Sequence, residues 1–277
     1  MPIKDILVHL DASPASGPRL DFAMGLAKRH QAHLIGLFII DIVPPFSAGA
    51  DMGGGSAMAE LLMQMREDAL TEAASGEAAF RDLLRREGQA GEWRQAEGMT
   101  SALLAVHGRY VDLIVVGQPE PKASSMAVEA ALFSTGRPIL LVPYTGPAKS
   151  LCRRVLIAWN GSREAARAVN DALPILAGAE SVTLLVVDPK TGPSDHGEEP
   201  GADIALHLAR HGVGVTVRRV MGDDVGVGDM LLNEVADLSS DLIIMGGYGH
   251  SRLRELVLGG ATRTLLRQMT VPVLMSH

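Results

Sequence analysis

The chain has 277 residues, of which 47% are hydrophobic and 21% charged, a composition typical of a folded protein with one large or two ordinary domains. A formal net charge of -7 without a basic run argues against a protein that binds the phosphate backbone of DNA or RNA. One cysteine excludes internal disulfides, and we find neither a leader-like start nor an apolar stretch of membrane-spanning length. We therefore expect a cytoplasmic protein without a membrane partner.

In the first half, short apolar runs alternate with longer segments of helical periodicity. The expected strands are 6–10, 34–40, 93–97, 113–117 and 139–142. The expected helices are 14–30, 57–87, 100–109 and 125–133, and a Pro/Gly-rich loop is expected at 41–56. At the first helix, Ser13 is predicted to be the N-cap and Pro14 the first helical residue. Alternating strands and helices predict a parallel sheet covered on both faces.

Methionines near the start of the second predicted helix have two interpretations. Met58, Met63 and Met65 could form an adaptable surface for a partner. Alternatively, Leu61, Leu62 and Met65 fall at helical spacing and would line a core face. We favour core packing.

The second half repeats the plan of the first. Its expected strands are 155–159, 182–187, 215–220, 241–246 and 271–275, and its expected helices are 163–176, 204–211, 225–238 and a last one ending near 268. Asp5-Ile-Leu-Val-His-Leu matches Arg154-Val-Leu-Ile-Ala-Trp, and two further strand segments match in the same order. Three ordered matches predict a duplicated domain, with units at 1–146 and 151–277 that form a pseudo-dimer within one chain.

A glycine-rich segment follows the fourth strand of the second half. Gly246, Gly249 and Gly259 have the spacing G-x2-G-x9-G, and a predicted helix follows. Glycines leave main-chain N–H groups uncovered, and the positive end of a helix dipole favours anions. The segment therefore predicts a phosphate-binding site, although the same glycines could merely form tight turns and close packing.

The tandem arrangement, the Asp/Asn-x-Ser turn after the first strand of each half and the glycine spacing resemble the universal stress protein (UspA-like) family in its two-domain form. The resemblance covers nearly the whole chain. It implies an α/β fold of the adenine nucleotide alpha hydrolase-like, UspA type: two tandem open parallel five-stranded sheets with helices on both faces. In one branch of this family ATP is held at the carboxyl ends of the strands, where open α/β sheets generally bind ligands.

The resemblance also assigns a ligand set in the second half. The adenine and ribose are expected near the ends of the first, second and fourth strands, and the phosphates near the glycines and the start of the last helix. The residues so assigned are Ala158, Trp159, Asn160, Val186, Met245, Gly246, Gly249, Gly259, Gly260, Ala261 and Thr262. Tyr248 lies inside the glycine segment and is added as a candidate ligand contact because of that position. ATP or another adenine nucleotide is the expected ligand, and Mg²⁺ could accompany it.

The chain departs from the family pattern at two of these positions. Asn160 stands where the family usually has Asp. The asparagine can still form hydrogen bonds but carries no charge. Gly260 stands where the family usually has Ser or Thr, which removes one hydroxyl ligand and about 1 to 2 kcal/mol of phosphate binding.

The first half lacks most of the motif. After Gly117 the chain has prolines, which offer no N–H, and Glu120, which would repel phosphate. Gly117 to Pro138 spans 21 positions against 26 from Gly246 to Pro272, so the loop is five residues shorter. We therefore predict that the first half holds no nucleotide, and that Asp11 serves as a helix-start cap.

Other motifs favour a binding protein over an enzyme. His207 and His211 have a zinc-chelating spacing but no evident third ligand, so a solvated helix face is the preferred interpretation. No catalytic residue is identified, and only Arg252 and Arg254 are cationic in the glycine segment, so hydrolysis is expected to be slow or absent. The leading hypothesis is an ATP-binding stress-response module. The alternatives are an interaction protein without nucleotide, acting through a pseudo-dimeric surface, and an adenylating enzyme. A homodimer is retained as a possible assembly.

Overall fold

The computed structural model describes residues 2–43, 55–120, 124–146, 152–189, 199–222, 225–248 and 260–277. The boundary predicted between the two units, near 144–150, lies partly outside these ranges, and most of the loop predicted at 41–56 lies outside them. No helix in the described ranges is both long enough and apolar enough to cross a membrane.

The first half contains five strands and four helices. Its strands are β1 (Asp5–Leu10), β2 (His33–Ile40), β3 (Gly91–Glu97), β4 (Leu113–Gly117) and β5 (Ile139–Val142). Its helices are α1 (Ser16–His30), α2 (Gly55–Glu87), α3 (Thr100–Gly108) and α4 (Met126–Ser134). The five predicted strands are confirmed. Four of them are apolar runs buried on both faces, which is typical of parallel sheets, whereas β3 has no buried residue.

The second half has the same order of elements. Its strands are β6 (Arg154–Ala158), β7 (Ser181–Val187), β8 (Thr216–Val220), β9 (Leu242–Gly246) and β10 (Val273–Ser276). Its helices are α5 (Arg163–Leu176), α6 (Ala202–Arg210), α7 (Val227–Asp237) and α8 (Gly260–Gln268). The predicted α/β class and the internal duplication are confirmed.

The two five-stranded sheets are joined into one sheet of ten strands. The strand order is β3-β2-β1-β4-β5-β10-β9-β6-β7-β8. The pairs within each half are parallel, whereas β5 and β10 pair antiparallel, with Leu140 opposite Leu274. In the first half, the chain leaves β3 at one edge and crosses β1 to form β4 on the other side. In the second half, it leaves β8 and crosses β6 to form β9. The resulting switch points, where open α/β sheets bind ligands, lie between β1 and β4 and between β6 and β9.

Helices cover both faces of the sheet. Leu26 of α1 and Phe80 of α2 belong to the same buried apolar layer as Ile175 of α5 and Leu208 of α6. The other layer contains buried residues from α3, α4, α7 and α8: Leu104, Leu132, Leu231 and Leu265. Each half therefore contributes two helices to each face, and both cores continue across the β5–β10 joint.

The start of α1 differs from the prediction. The helix begins at Ser16, and Ala15 occupies the N-cap position without a side-chain cap. The backbone N–H of Ser13 donates to Asp11 Oδ1 at 2.9 Å, and the Ser13 hydroxyl donates to the same oxygen. Because the Asp11 carboxylate offers this local partner, it forms an Asx-type turn that competes with helix initiation. The prediction of Ser13 as N-cap is wrong.

The expectation that Leu61, Leu62 and Met65 line a core face is wrong for Leu61, which is 41% exposed, whereas Leu62 and Met65 are half-buried. Met63 is 72% exposed. The buried residues of α2 begin only at Ala73 and Phe80, where the helix lies over β2 and β3. The apolar spacing in the first turns of α2 therefore marks a partly exposed face.

Candidate functional site

The carboxyl ends of β6 and β9 bring the predicted adenine-side residues together. Ala158, the last residue of β6, lies opposite Met245 of β9, and the Trp159 N–H donates to the Leu185 carbonyl at 2.9 Å. Asn160 follows on the surface, where its side-chain oxygen accepts hydrogen bonds from the Ser162 N–H and hydroxyl. Ser162 in turn caps α5 by accepting from the Ala165 N–H at 3.1 Å. This edge is therefore a well-ordered turn with an exposed amide side chain.

Val186 lies deeper than its expected role requires. It is 1% exposed, and its Cγ2 lies 3.2 Å from the position that a Cβ on Gly201 would occupy. Gly201 precedes α6 and has a φ of +90°, which favours glycine. Val186 thus belongs to the floor beneath the candidate site.

Gly246 is required by the packing of α5 on the sheet. A Cβ at this position would lie 2.5 Å from the Ala165 nitrogen and 2.8 Å from Glu164 Cβ. The start of α5 therefore lies directly against the end of β9. The next amide is already used, because the Gly247 N–H donates to the Ser276 carbonyl at 2.9 Å. Two of the glycine positions thus serve close packing and strand pairing.

Tyr248 and the first turn of α8 differ from Gly246 and Gly247 in backbone conformation and exposure. Tyr248 has a φ of +64°, in the left-handed region that non-glycine residues seldom adopt. Gly260 is exposed, Ala261 half-buried and Thr262 buried, and all three lie in the first turn of α8. The first four N–H groups of a helix have no partner within that helix, so this turn presents donors at the positive end of its dipole. Gly249 and Gly259, also assigned to the site, lie outside the described residues.

The equivalent edge of the first half is filled by an arginine. The Arg19 guanidinium reaches from α1 to the end of β4, where a Cβ on Gly117 would overlap its Nη1 atom. Arg19 Nη2 donates to Asp11 Oδ2 at 2.8 Å and to the Ser16 hydroxyl at 3.2 Å. The arginine side chain is only 4% exposed, whereas that of Asp11 is 39% exposed. The ion pair therefore closes the switch point between β1 and β4.

Ionisation states follow from this packing. Burial alone would raise the pKa of Asp11, but the Arg19 charge and the hydrogen bonds from Ser13 and Arg19 outweigh it and lower the pKa. Burial and then the Arg19 charge lower the pKa of His9 to about 4. The first-half edge at neutral pH is thus a neutral histidine beside a closed carboxylate–guanidinium pair.

Alignment of the two halves shows what replaces this cluster in the second half. Ala158 occupies the position of His9, and Asn160 the position of Asp11, since the matched segments begin at Arg154 and Asp5. By the same offset, Ala168 takes the place of Arg19, and it is fully buried. Three titratable side chains in one half therefore correspond to three uncharged ones in the other.

The sequence analysis missed several residues at these edges. Arg19 had a sequence signal, because it lies on the same helical stripe as the buried Phe22, Ala23 and Leu26. Glu164 is 5% exposed, and Arg163 donates to its carboxylate. Burial would raise the pKa of Glu164, but the Arg163 hydrogen bond, a backbone hydrogen bond and the charges of Arg163 and His277 together outweigh it and lower the pKa. An acidic residue in a first helical turn gave no separate signal, because that position is common for carboxylates.

The histidine pair of α6 stays a surface feature. The His207 and His211 rings have centroids 4.7 Å apart; His211 is exposed and His207 half-buried. Across the described residues, no group of three or more His, Cys, Asp or Glu side chains comes together in a way that could hold a metal ion.

The comparisons with known proteins agree with this architecture. The Universal stress protein family model matches residues 2–124 and 152–277. The chain is 25% identical to "Universal stress protein Slr1230" of Synechocystis, over 98% of this chain and 99% of that protein. A universal stress protein structure from Archaeoglobus fulgidus has a TM-score of 0.69 at 18% identity and covers 98% of this chain and 97% of its own. A structure of a putative universal stress protein from Pseudomonas aeruginosa has a TM-score of 0.58 at 16% identity, covering 98% and 92%.

The fold and its two switch points define an open, doubly wound α/β protein built from two copies of one five-stranded unit. Each copy matches the same family model, and the match covers most of the chain. The chain belongs to the universal stress protein family.

Proposed function

We propose that this protein binds one adenine nucleotide, with ATP the preferred ligand, at the carboxyl edge of β6 and β9. The observation that carries the proposal is the G-x2-G-x9-G spacing between the end of β9 and the start of α8. Main-chain N–H groups of the first turn of α8 would hold the phosphates, and Thr262 would add a hydroxyl. The adenine would lie beside Trp159 and Asn160. Mg²⁺ would be bound mainly by phosphate oxygens.

The space around the start of α8 supports this ligand. Among the described residues, no heavy atom lies within 4 Å of the position that a Cβ on Gly260 would occupy. The Asn160 side chain is exposed, and its amide nitrogen can donate to an adenine ring nitrogen while its oxygen stays bonded to Ser162. The site therefore offers donors at both ends of a nucleotide-sized ligand.

The first half is proposed to bind no nucleotide. The Arg19 guanidinium lies at the end of β4, and the Asp11 carboxylate neutralises it. A nucleotide would have to displace this pair, and the segment after Gly117 offers no glycine motif in return. The protein would therefore act as a single-site nucleotide-dependent module in a stress response, with hydrolysis slow or absent.

Calorimetry combined with tryptophan fluorescence tests the proposal. The chain has two tryptophans, Trp93 in β3 and Trp159 at the candidate site. Titration with Mg-ATP is expected to give one site per chain and to change the fluorescence of Trp159. Trp159→Phe should abolish the fluorescence change. Trp93→Phe is the matched control and should retain it, since Trp93 packs against Phe38 and Phe80 in the first half.

Three results would contradict this assignment. No heat and no fluorescence change with ATP, ADP, AMP or cyclic AMP would exclude nucleotide binding. Two equivalent sites per chain would contradict the difference between the halves. A fluorescence change that persists in Trp159→Phe would move the site away from β6.

A further inference from the structure

The glycine segment of the second half is held at both ends by residues of the first half. At its start, the Tyr248 ring packs edge-on against Phe133 of α4, with centroids 4.6 Å apart and planes at 65°. A Cβ on the preceding Gly247 would lie 2.8 Å from Cδ2 of Leu132, also in α4. The chain thus leaves β9 in direct contact with a helix of the other half.

The contact extends to the last strand. Phe133 also packs edge-on against His277, with centroids 4.8 Å apart. His277 Nδ1 lies 3.1 Å from the Gly247 carbonyl oxygen, and the Gly247 N–H donates to the Ser276 carbonyl. Phe133 therefore touches Tyr248 and His277, the residues that follow the bonded pair Gly247 and Ser276, and it covers the point where the segment begins.

At the other end, Gln118 of the first half fixes α8. Its Nε2 donates to the Leu266 carbonyl at 3.0 Å, and its Oε1 accepts from the Tyr144 N–H at 3.2 Å. Gln118 is 5% exposed, so these bonds have little competition from water. Leu266 belongs to the last turn of α8, whose first turn contains Thr262. Because α8 is a continuous helix, fixing its last turn also fixes the position of its first turn, which contains the proposed phosphate donors.

The contact between Tyr248 and Phe133 leaves the tyrosine in an unusual environment that can be measured. Its hydroxyl is buried without a hydrogen-bond partner in the described structure. Burial and then the negative charge of Glu129, one turn before Phe133 on α4, raise the pKa of Tyr248 to about 12. A tyrosine with an unpaired hydroxyl and a positive φ is held by the surrounding packing, because its own conformation is unfavourable.

We propose that Phe133 and Gln118 are positioning residues for the nucleotide site of the other half, so that the first half acts as its built-in scaffold. The inference rests on the proposed nucleotide site. Neither side chain needs to touch the ligand. Phe133 holds Tyr248 where the chain leaves β9, and Gln118 holds α8, so both described ends of the site are positioned before the ligand binds.

The test uses the full-length chain and removes the Phe133 ring. Phe133→Ala is expected to weaken Mg-ATP binding about three- to tenfold, the range of an edge-to-face aromatic contact. Phe133→Tyr keeps the ring and should bind with wild-type affinity, because Phe133 is 44% exposed and water can reach the added hydroxyl. Met126→Ala is the matched control on α4, with 50% exposure, and should leave affinity unchanged. Gln118→Met, which keeps the length but removes both bonds, should also weaken binding.

Fluorine NMR of protein labelled with 3-fluorotyrosine separates positioning from a general loss of structure. The chain has three tyrosines, and Tyr248→Phe assigns the resonance of interest. Without nucleotide, Phe133→Ala should shift the Tyr248 resonance and leave that of Tyr110, which is 78% exposed, in place. Mg-ATP should shift the Tyr248 resonance of the wild-type protein.

The outcomes distinguish the two proposals. If Phe133→Ala moves the Tyr248 resonance but binds ATP as tightly as wild type, the positioning role is wrong and the nucleotide site stands. If the wild-type protein binds no nucleotide, both proposals fail, whatever the resonance does. If Met126→Ala weakens binding as much as Phe133→Ala, the effect belongs to α4 in general and the assignment to Phe133 is wrong.

Discussion

The two switch points of this molecule share a backbone plan but differ in what fills them. Between β1 and β4, Arg19 and Asp11 form an ion pair that closes the edge beside the buried His9. Between β6 and β9, the corresponding positions hold Ala168, Asn160 and Ala158, and no charge is present at them. One edge is therefore occupied by an ion pair of its own, whereas at the other edge we propose that the first turn of α8 holds a ligand.

On the proposed function, this difference shows how a duplicated unit can lose a ligand site and keep its fold. An uncompensated arginine at the first edge would be costly, because its side chain is 4% exposed. Asp11 offsets part of that cost and is itself held by Ser13, although the buried Arg19 Nε has no hydrogen-bond partner among the described residues. The first half thus neutralises its own buried charge, and its α4 contacts the second half.

The largest expected effect concerns pH. His9 titrates near 6.5 in the unfolded chain and at about 4 in the folded protein. Between these values the unfolded chain binds a proton that the folded protein does not, so stability is complete above pH 6.5 and falls as the pH drops towards 4. The shift corresponds to about 3 kcal/mol. Urea unfolding between pH 4 and 7.5 should show this loss.

His9→Gln provides the comparison for that measurement. The variant removes the titrating group, so the pH slope between 6.5 and 4 should become shallower by up to one proton. The two proteins differ only at position 9, so the contributions of the other histidines cancel when the two slopes are subtracted. Equal slopes in the two proteins would show that His9 is not buried as described.

A somewhat smaller effect is expected from opening the Arg19–Asp11 pair. Arg19→Met keeps most of the apolar stem but leaves Asp11 without its partner. Because the Asp11 side chain is 39% exposed and can be hydrated, we expect a loss of about 2 kcal/mol in the free energy of unfolding, below the range for fully buried pairs. Urea denaturation at pH 7 measures it.

The control is an exposed pair in the same half. Arg66 and Glu97 form an ion pair with side chains 51% and 48% exposed, so Arg66→Met should leave the free energy of unfolding nearly unchanged. Similar losses in both variants would mean that the first edge is open to water. ATP affinity at the second site should be unchanged in either variant.

The smallest expected effect is an increase in the nucleotide affinity of the second half. Gly260→Ser restores the hydroxyl that the family pattern usually has there, and the position has room for a Cβ. A hydrogen bond to a charged phosphate group would tighten Mg-ATP binding by about 1 to 2 kcal/mol. Calorimetry should show a lower dissociation constant. Gly260→Ala adds the same Cβ without the hydroxyl and should bind like wild type; an equal gain in both would point to helix rigidity.

Much of the fold was predictable from local pattern. Buried parallel strands such as β4 and β9 are short, wholly apolar runs, and these are the strongest signals in an alternating sequence. The start of α1 was not predictable from capping preference, because Asp11 and Ser13 form a turn of their own. The exposure of Leu61 was missed since periodicity indicates a face and says nothing about what covers it.

The candidate site was predictable only where the motif is continuous in sequence. The glycine spacing and the residues after β6 were found from local patterns and family resemblance. The contacts of Phe133 with Tyr248 and of Gln118 with Leu266 were not found, because they join the two halves and depend on how β5 and β10 align. Such contacts leave no periodic trace in either segment.

The antiparallel joint between β5 and β10 has a consequence for any separated half. All four residues of β5 and all four of β10 are buried, and each strand has its unit's own sheet on one side and the other unit on the other. A half expressed alone would expose an apolar edge with unpaired backbone groups, which is a template for pairing with another chain. Two identical halves could satisfy each other across a two-fold axis through that edge. Fusion in one polypeptide fixes the partner and allows the two units to diverge.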